Sequence, residues 1–466
     1  MFFYDAVHYF FPDIRKDELK KFSLLSLTFF LIIGSYWLVR LLKNTLFYKI
    51  AFPESLGWLP GQGRLFQPVA KFWSPFVVFA LIIVYSKLID IFKKHKLFYI
   101  ICSVYVVIFG GITMALVARN MYGNEILGKH LLATLGWVSY FAIESFGSLI
   151  AALFWSFTNS ICTSESARSG YPLIIAGAQM GAIGGSALIF CAHLFGISQL
   201  FGLATFTVSM VMVVIYYFMK TVPAEQMVGN KQATATEKRK EGFFEGFTIG
   251  IKLLFTRPYI FGILIVSTLY EVISQVIEYQ MQSQADVFPQ FSGEIGFAQF
   301  QGLYGIASNI LSFLMALLGT SYLIKRYGLR FGLLFFPTVL GIAFTLLFLY
   351  YTFGSPDAAQ LLGATFVVMM IAKGLGYAVN NPVKEMMYIP TSKDVKFKSK
   401  GFIDVFGGRM AKLGGAQITN TWKHNMHHLM VYGTVASFGL TAIWIVAALY
   451  VGRKNAQLIK NDTIIE

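Results

Sequence analysis

The chain has 466 residues, of which 56% are hydrophobic and only 13% charged, and its mean hydropathy is +0.62. That is more apolar side chain than one soluble core can take up, so a soluble single domain is excluded and an integral membrane protein is expected. The net charge of +15 invites a nucleic-acid reading, but the placement of the cations follows membrane topology instead, so no nucleic-acid partner is expected.

Residues 1–21 form a polar terminus that ends in Arg15, Lys16, Lys20 and Lys21. Its basic cluster follows acids and aromatics, and the apolar run after it is too long and lacks a small-residue cleavage site, so it does not read as a secretory signal. It also lacks the Ser- and Arg-rich, acid-poor composition of an organellar transit peptide. Apolar runs then recur at 22–48, 68–91, 97–118, 131–160, 171–194 and 199–219, and again at 259–281, 299–324, 329–352, 358–381, 402–422 and 428–452. Each has the roughly 20 residues that about 30 Å of hydrocarbon requires. The fourth, tenth and eleventh are interrupted by charged or turn residues.

The expected fold is therefore an all-α integral membrane protein with twelve transmembrane helices. They form two six-helix halves, 22–219 and 259–452, joined by a polar linker at 220–258 and followed by a polar terminus at 453–466. The halves look related. Gly177, Gly181 and Gly185 lie four apart in AGAQMGAIGGSALI, and Gly407, Ala411 and Gly415 repeat them 230 residues later, with Met180 and Gly184 matched by Met410 and Gly414. Small residues at that spacing stack on one helix face and let a second backbone approach closely, as in a packing or gating seam. Two related six-span halves are a common plan of secondary transporters, with substrate bound near the midplane between the halves.

Cations gather before the first span, after the second (Lys87, Lys93, Lys94, Lys96) and in the linker. They recur after the eighth (Lys325, Arg326, Arg330), the tenth (Lys393, Lys396, Lys398, Lys400) and the twelfth (Arg453, Lys454, Lys460). All these segments share one side if both termini do, so both termini and the linker are expected in the cytoplasm, with a bacterial inner membrane as the simplest address. The loop after the seventh span carries Asp286 and Glu294 and no lysine. Lys423, His424, His427 and His428 on the outer side run weakly against the rule.

Cys102, Cys162 and Cys191 lie in or beside apolar spans without ligand spacing and read as packing residues, so neither metal nor cofactor is expected. No Walker A, GxGxxG, HExxH, paired CxxC or GxSxG pattern lies in a cytoplasmic segment, and the only histidine cluster has no matching carboxylate. Enzyme chemistry and self-driven pumping are not expected; the lipid bilayer and an anionic solute are the expected partners.

Charges inside the spans carry the functional reading, because lipid excludes them unless they serve a purpose. Arg40 and Lys43 lie three apart in SYWLVRLLKNTLFYK and either face a cavity or snorkel, as Lys49 is expected to do. Glu144, in the body of the fourth span, must pair with a cation or stay protonated. Glu271 and Glu278 share a face of the seventh span, with Gln275 between them, and either pack helices together, pair with cavity lysines when no substrate is bound, or carry a proton. Lys384 and Glu385 close the tenth span after Asn380, Asn381 and Pro382, which are expected to break the helix. Arg409 and Lys412 lie three apart beside the second small-residue seam. Arginine suits a phosphate bidentately and lysine supplies a compact charge, so these cations are candidate phosphate ligands.

Three blocks carry a resemblance: ELKKFSLLSLTFF with YWLVRLLKN, then ESFGSLIAALFWSFTNSICTSESARSGYPL, then NPVKEMMYIPTSKDVKFKSKGFIDVFGGRMAKLGGA. The sequence resembles the ATP/ADP translocases of obligate intracellular bacteria and plastids over nearly its whole length. The resemblance implies a twelve-helix fold similar to the major facilitator type and exchange of ATP for ADP, with or without phosphate, by alternating access, in a monomer. It also implies that Arg40 and Lys43 are the basic pair of the first helix, Glu144 the acid of the fourth and Glu278 that of the seventh. Lys384, Glu385, Lys400 and Asp404 then form the C-terminal signature. The chain departs from the family where GYAVNNP puts Gly376 in place of a lysine and Asn381 in place of an aspartate, and where Gln282 stands for a lysine. These departures keep a second expectation open, proton-coupled import of another nucleotide, NAD or another anionic metabolite.

Overall fold

The computed structural model describes residues 12–227, 252–317, 320–392, 395, 399–400, 402–461 and 463–465. The expected linker over 228–251, residues 1–11, and Lys393, Lys396 and Lys398 lie outside them.

The described chain is almost entirely helical. Its long helices are α1 (Leu19–Thr45), α2 (Gln62–Ile91), α3 (Lys94–Tyr122), α4 (Gly128–Ile161), α5 (Ser164–Phe190) and α6 (Ile197–Thr221). They continue as α7 (Pro258–Val287), α8 (Glu294–Leu317), α9 (Thr320–Phe353), α10 (Ala358–Leu375), α11 (Gly408–Trp422) and α12 (Met426–Lys460). Ten of these, all but α8 and α11, are long and apolar enough among the described residues to cross a membrane. The protein is thus a multi-pass membrane protein.

Capping follows the sequence locally. Thr163 accepts from the backbone N–H of Ser166 at the start of α5, Asp357 and Gln360 form a capping box on α10, and Gly123 ends α3 with a φ of 84°. Three turns are wound wider than an α-helix: Leu46–Ile50 after α1, Gly376–Asn380 after α10, and Ile403–Gly407 before α11. Such turns occur frequently at functional sites, and here each adjoins a charge-bearing stretch.

The expected break at Asn380–Pro382 is not a break. Asn380 and Asn381 keep helical backbone angles, and a short helix, Asn381–Met387, follows the wide turn directly. Pro382 lies just after the wide turn, and its missing N–H leaves a carbonyl of that turn without this backbone donor.

The chain divides into two compact units. The first contains Met1–Gly63, Phe76–Arg239 and Pro289–Asn309; the second contains Arg64–Pro75, Lys240–Phe288 and Ile310–Glu466. Lipid is as apolar as a leucine side chain, so close packing and buried hydrogen bonds, rather than removal of apolar surface from water, hold such helices together.

In the first unit α1 packs most extensively along α5. A Cβ added at Gly177, Gly181 or Gly185 would fall 2.3 Å from Ser26 Oγ, Phe30 O or Gly34 O of α1, so only glycine admits this approach. Ser26 Oγ donates to the Leu173 carbonyl at 2.9 Å across the same contact. In the second unit α7 packs on α11. There a Cβ at Gly415 would lie 2.8 Å from the Val272 carbonyl oxygen, one at Gly407 would lie 3.0 Å from Leu264 and Thr268, and Ala411 is buried. The 230-residue repeat therefore reappears as packing: α1 meets α5 as α7 meets α11.

Candidate substrate site

In the first unit, Tyr36, Arg40 and Lys43 form one stripe of α1, and Tyr140, Glu144 and Gly147 form a stripe of matching spacing on α4. Lys43, whose side chain is 4% exposed, pairs with Glu144, 29% exposed. Its Nζ also lies 4.2 Å from the centroid of the Tyr140 ring. The half-buried Arg40 guanidinium lies 4.9 Å from the Trp37 ring and 5.9 Å from that of Tyr36. Gly147 lets the two stripes meet, since a Cβ there would fall 2.1 Å from the Tyr36 ring. A compact cation is thus held by one carboxylate and one aromatic face, with a planar cation a turn away; a phosphate can take the carboxylate's place on both. Lys49, expected at the interface, is half-buried with its Nζ 5.4 Å from the Phe297 ring.

In the second unit α7 supplies a row of buried acids and amides. Glu278, 8% exposed, faces Lys71, 15% exposed, at 3.6 Å, and Gln282 Nε2 donates to Glu278 Oε1 at 3.4 Å. Two turns further on, Asp286 faces Arg64 at 3.6 Å. Glu271 lies half-buried on the same helix, and the half-buried Lys384 stands within Coulombic reach of Glu271 and Asp404. Glu385 accepts from Lys400 at 2.6 Å in a largely exposed pair. On α11, Arg409 is half-buried and Lys412 exposed.

Below the start of α1, Lys21 is 1% exposed, pairs with Glu18, and donates to Ser166 Oγ at 3.0 Å and to the Gln226 carbonyl at 3.2 Å. Burial raises the Glu18 carboxyl, but Lys21, Ser166 and Arg15 outweigh it and hold the group below its ordinary value.

A sequence model of the TLC ATP/ADP transporter family matches residues 2–454. The chain belongs to the TLC ATP/ADP transporter family. It is 27% identical to ADP,ATP carrier protein 2, chloroplastic, of Arabidopsis thaliana, over 93% of this chain and 74% of that protein. It is 25% identical to ADP,ATP carrier protein 1 of Chlamydia muridarum, over 93% of this chain and 88% of that protein. Among solved structures it is similar in fold to a peptide transporter, POT, crystallised with sulfate, with a TM-score of 0.63 and 17% identity over 93% of this chain and 95% of that one. It is also similar to a variant of the nucleoside transporter NupG, with a TM-score of 0.61 and 14% identity over 92% and 98%.

The structure of this TLC family member joins Lys43 to Glu144 and Glu385 to Lys400, and leaves Lys384 within Coulombic reach of Glu271 and Asp404. The cation facing Glu278 is Lys71, which sequence reasoning missed, together with Arg64 and the Tyr140 ring. The signal was available: Lys71 lies inside the second apolar run, as anomalous there as Arg40 in the first, and Arg64 lies two turns before it. Asp286 and Glu294, read as loop acids, belong to helices and are paired, Asp286 with Arg64 and Glu294 with Arg119, whose Nη1 donates at 3.0 Å. Of the family departures, Gln282 touches Glu278, and Gly376 packs so closely that a Cβ would lie 2.8 Å from Tyr270 Oη.

Proposed function

We propose that this chain is a secondary transporter that exchanges ATP for ADP across a membrane by alternating access. The observation that carries the site assignment is the Lys43–Glu144 pair against Tyr140, with Arg40 one turn away. Nucleotide phosphates displace Glu144 from Lys43 and gain Arg40 as a second cation. When the nucleotide leaves, Glu144 returns. Strict exchange then requires that the empty carrier reorients slowly, because without a nucleotide its cavity charges are unbalanced. Lys384, Arg409 and Lys412 are assigned to the same anionic cargo, and Glu271, Glu278, Glu385 and Asp404 are the acids that keep the cations of the second unit neutralised.

In this reading α8 and α11 complete twelve crossings in two six-helix halves, 22–219 and 259–452, with both termini on the cytoplasmic side of an inner membrane and a monomer as the working unit. Both carry polar groups suited to polar cargo: Gln301, Asn309 and Ser312 are buried on α8, and Arg409 and Lys412 lie on α11. The cargo crosses without chemical change.

The test is a competition panel. Proteoliposomes containing the full chain take up labelled ATP, and unlabelled ATP and ADP suppress uptake while AMP, NAD and amino acids do not. Chromatography recovers the label as ATP. Arg40→Gln and Lys43→Gln each lower uptake at least about tenfold, as loss of a charge-assisted contact predicts. Uptake indifferent to nucleoside di- and triphosphates, or untouched by both substitutions, contradicts the proposal.

A further inference from the structure

A groove of about 510 Å³ runs along the last turns of α12, lined by Val446, Leu449, Tyr450, Arg453, Lys454 and Gln457. These residues follow helical spacing and form a single stripe. Its upper part is apolar and exposed, with Val446 at 66% and Tyr450 at 43%; its lower part is cationic and exposed. From Val446 to Gln457 the stripe is about 16 Å long, of which the apolar part, Val446 to Tyr450, takes about 6 Å. The opposite face is fixed, because Ala448, Val451 and Asn455 are buried and Asn455 Nδ2 donates to Tyr259 Oη at 2.7 Å.

The sequence of α12 contains no Asp or Glu. Neither Arg453 nor Lys454 forms an ion pair among the described residues. On another side of the same turn, the Arg330 side chain of α9 packs against Gly452, where a Cβ would lie 3.0 Å from its Cγ.

We propose that this stripe binds one anionic phospholipid of the leaflet facing the chain's C-terminal end. Its acyl chain lies along Val446, Leu449 and Tyr450. Its headgroup phosphate sits between Arg453 and Lys454, with Arg330 adding to the local positive potential. The apolar half of the stripe selects a phospholipid over a free phosphate, and the acid-free cationic half selects an anionic headgroup over a zwitterionic one.

The test uses the purified full chain in mild detergent, mixed with equal amounts of phosphatidylglycerol and phosphatidylcholine and read by native mass spectrometry. One phosphatidylglycerol adduct is retained by the wild type. Retention falls at least about tenfold in Arg453→Gln/Lys454→Gln, the loss of two surface cations near a headgroup, and also falls in Leu449→Ser, which leaves the charges in place. Lys93→Gln/Lys96→Gln, which removes exposed cations at another helix end, keeps the adduct. Equal retention of both lipids, unchanged retention in the α12 variants, equal loss in the Lys93/Lys96 control, or a lipid-free dimer at this face overturns the proposal.

Discussion

Replacing Glu144 by glutamine separates a competitor from a structural ion pair. The carboxylate holds Lys43, whose side chain is 4% exposed, while Glu144 itself is 29% exposed. A hydrogen bond to a charged group contributes about 1.5–3 kcal/mol, and the partial exposure of Glu144 puts this pair at the lower end, about 1.5–2 kcal/mol. If incoming phosphate must displace Glu144, its removal returns that amount to binding, and at 1.4 kcal/mol per decade Glu144→Gln binds ATP roughly ten- to thirty-fold more tightly. The same substitution leaves Lys43 without this carboxylate and with the Tyr140 ring 4.2 Å away. A cation–π contact offsets about 0.5–2 kcal/mol of the lost pairing, so Tm falls while affinity rises. Scintillation-proximity binding of labelled ATP to purified protein, with a thermal melt of the same sample, reads both. Weaker or unchanged binding together with a lower Tm refutes competition and leaves the pair a packing element.

The remaining predictions concern other contacts. Lys71→Gln and Glu278→Gln each remove one charge of a half-buried pair and lower Tm, whereas the double variant recovers part of the loss; thermal melts of all four proteins measure the coupling, and simple additivity means that the pair does not form. Gly181→Ala places a methyl 2.3 Å from the Phe30 carbonyl, forces α1 from α5 and destabilises by about 1–3 kcal/mol. Gly184→Ala meets nothing within 4 Å and leaves Tm unchanged, so equal melting of the two variants contradicts the seam. Because the folded Glu18 carboxyl is held below its ordinary value of 4.5, its contribution is fully present above that value and is lost as pH falls through the folded one. The Tm gap between wild type and Glu18→Gln is therefore full at pH 7 and closes as the pH falls below 4.5; a gap that persists at low pH contradicts the assignment.

Apolar length alone made most of the helices legible, since a run long enough for the bilayer has no other stable solution in lipid than a helix. The small-residue repeat was legible for a related reason: only a close backbone approach makes a side chain unwelcome at three positions of one face, and Gly177, Gly181 and Gly185 meet the α1 backbone as that spacing requires. Pairing was harder to read. Spacing within α7 places Glu271 and Glu278 on one face but says nothing about which cation faces them, and Lys71, near the start of the second apolar run, was not singled out. Lys21 shows the same limit, since its neighbours suggest a solvated basic terminus while Glu18 and Ser166 bury it. The wide turns at 46–50, 376–380 and 403–407 left no trace in hydrophobic periodicity, because each shifts the helical register without changing composition.

Exchange is read by dual-label counterflow. Proteoliposomes are loaded with ADP carrying one label and placed in ATP carrying another, and both are counted over the initial minutes. An exchanger lets ATP enter only as ADP leaves, one for one, and empty vesicles take up almost nothing. Equal ATP uptake by empty and ADP-loaded vesicles, or ADP release without external nucleotide, contradicts exchange.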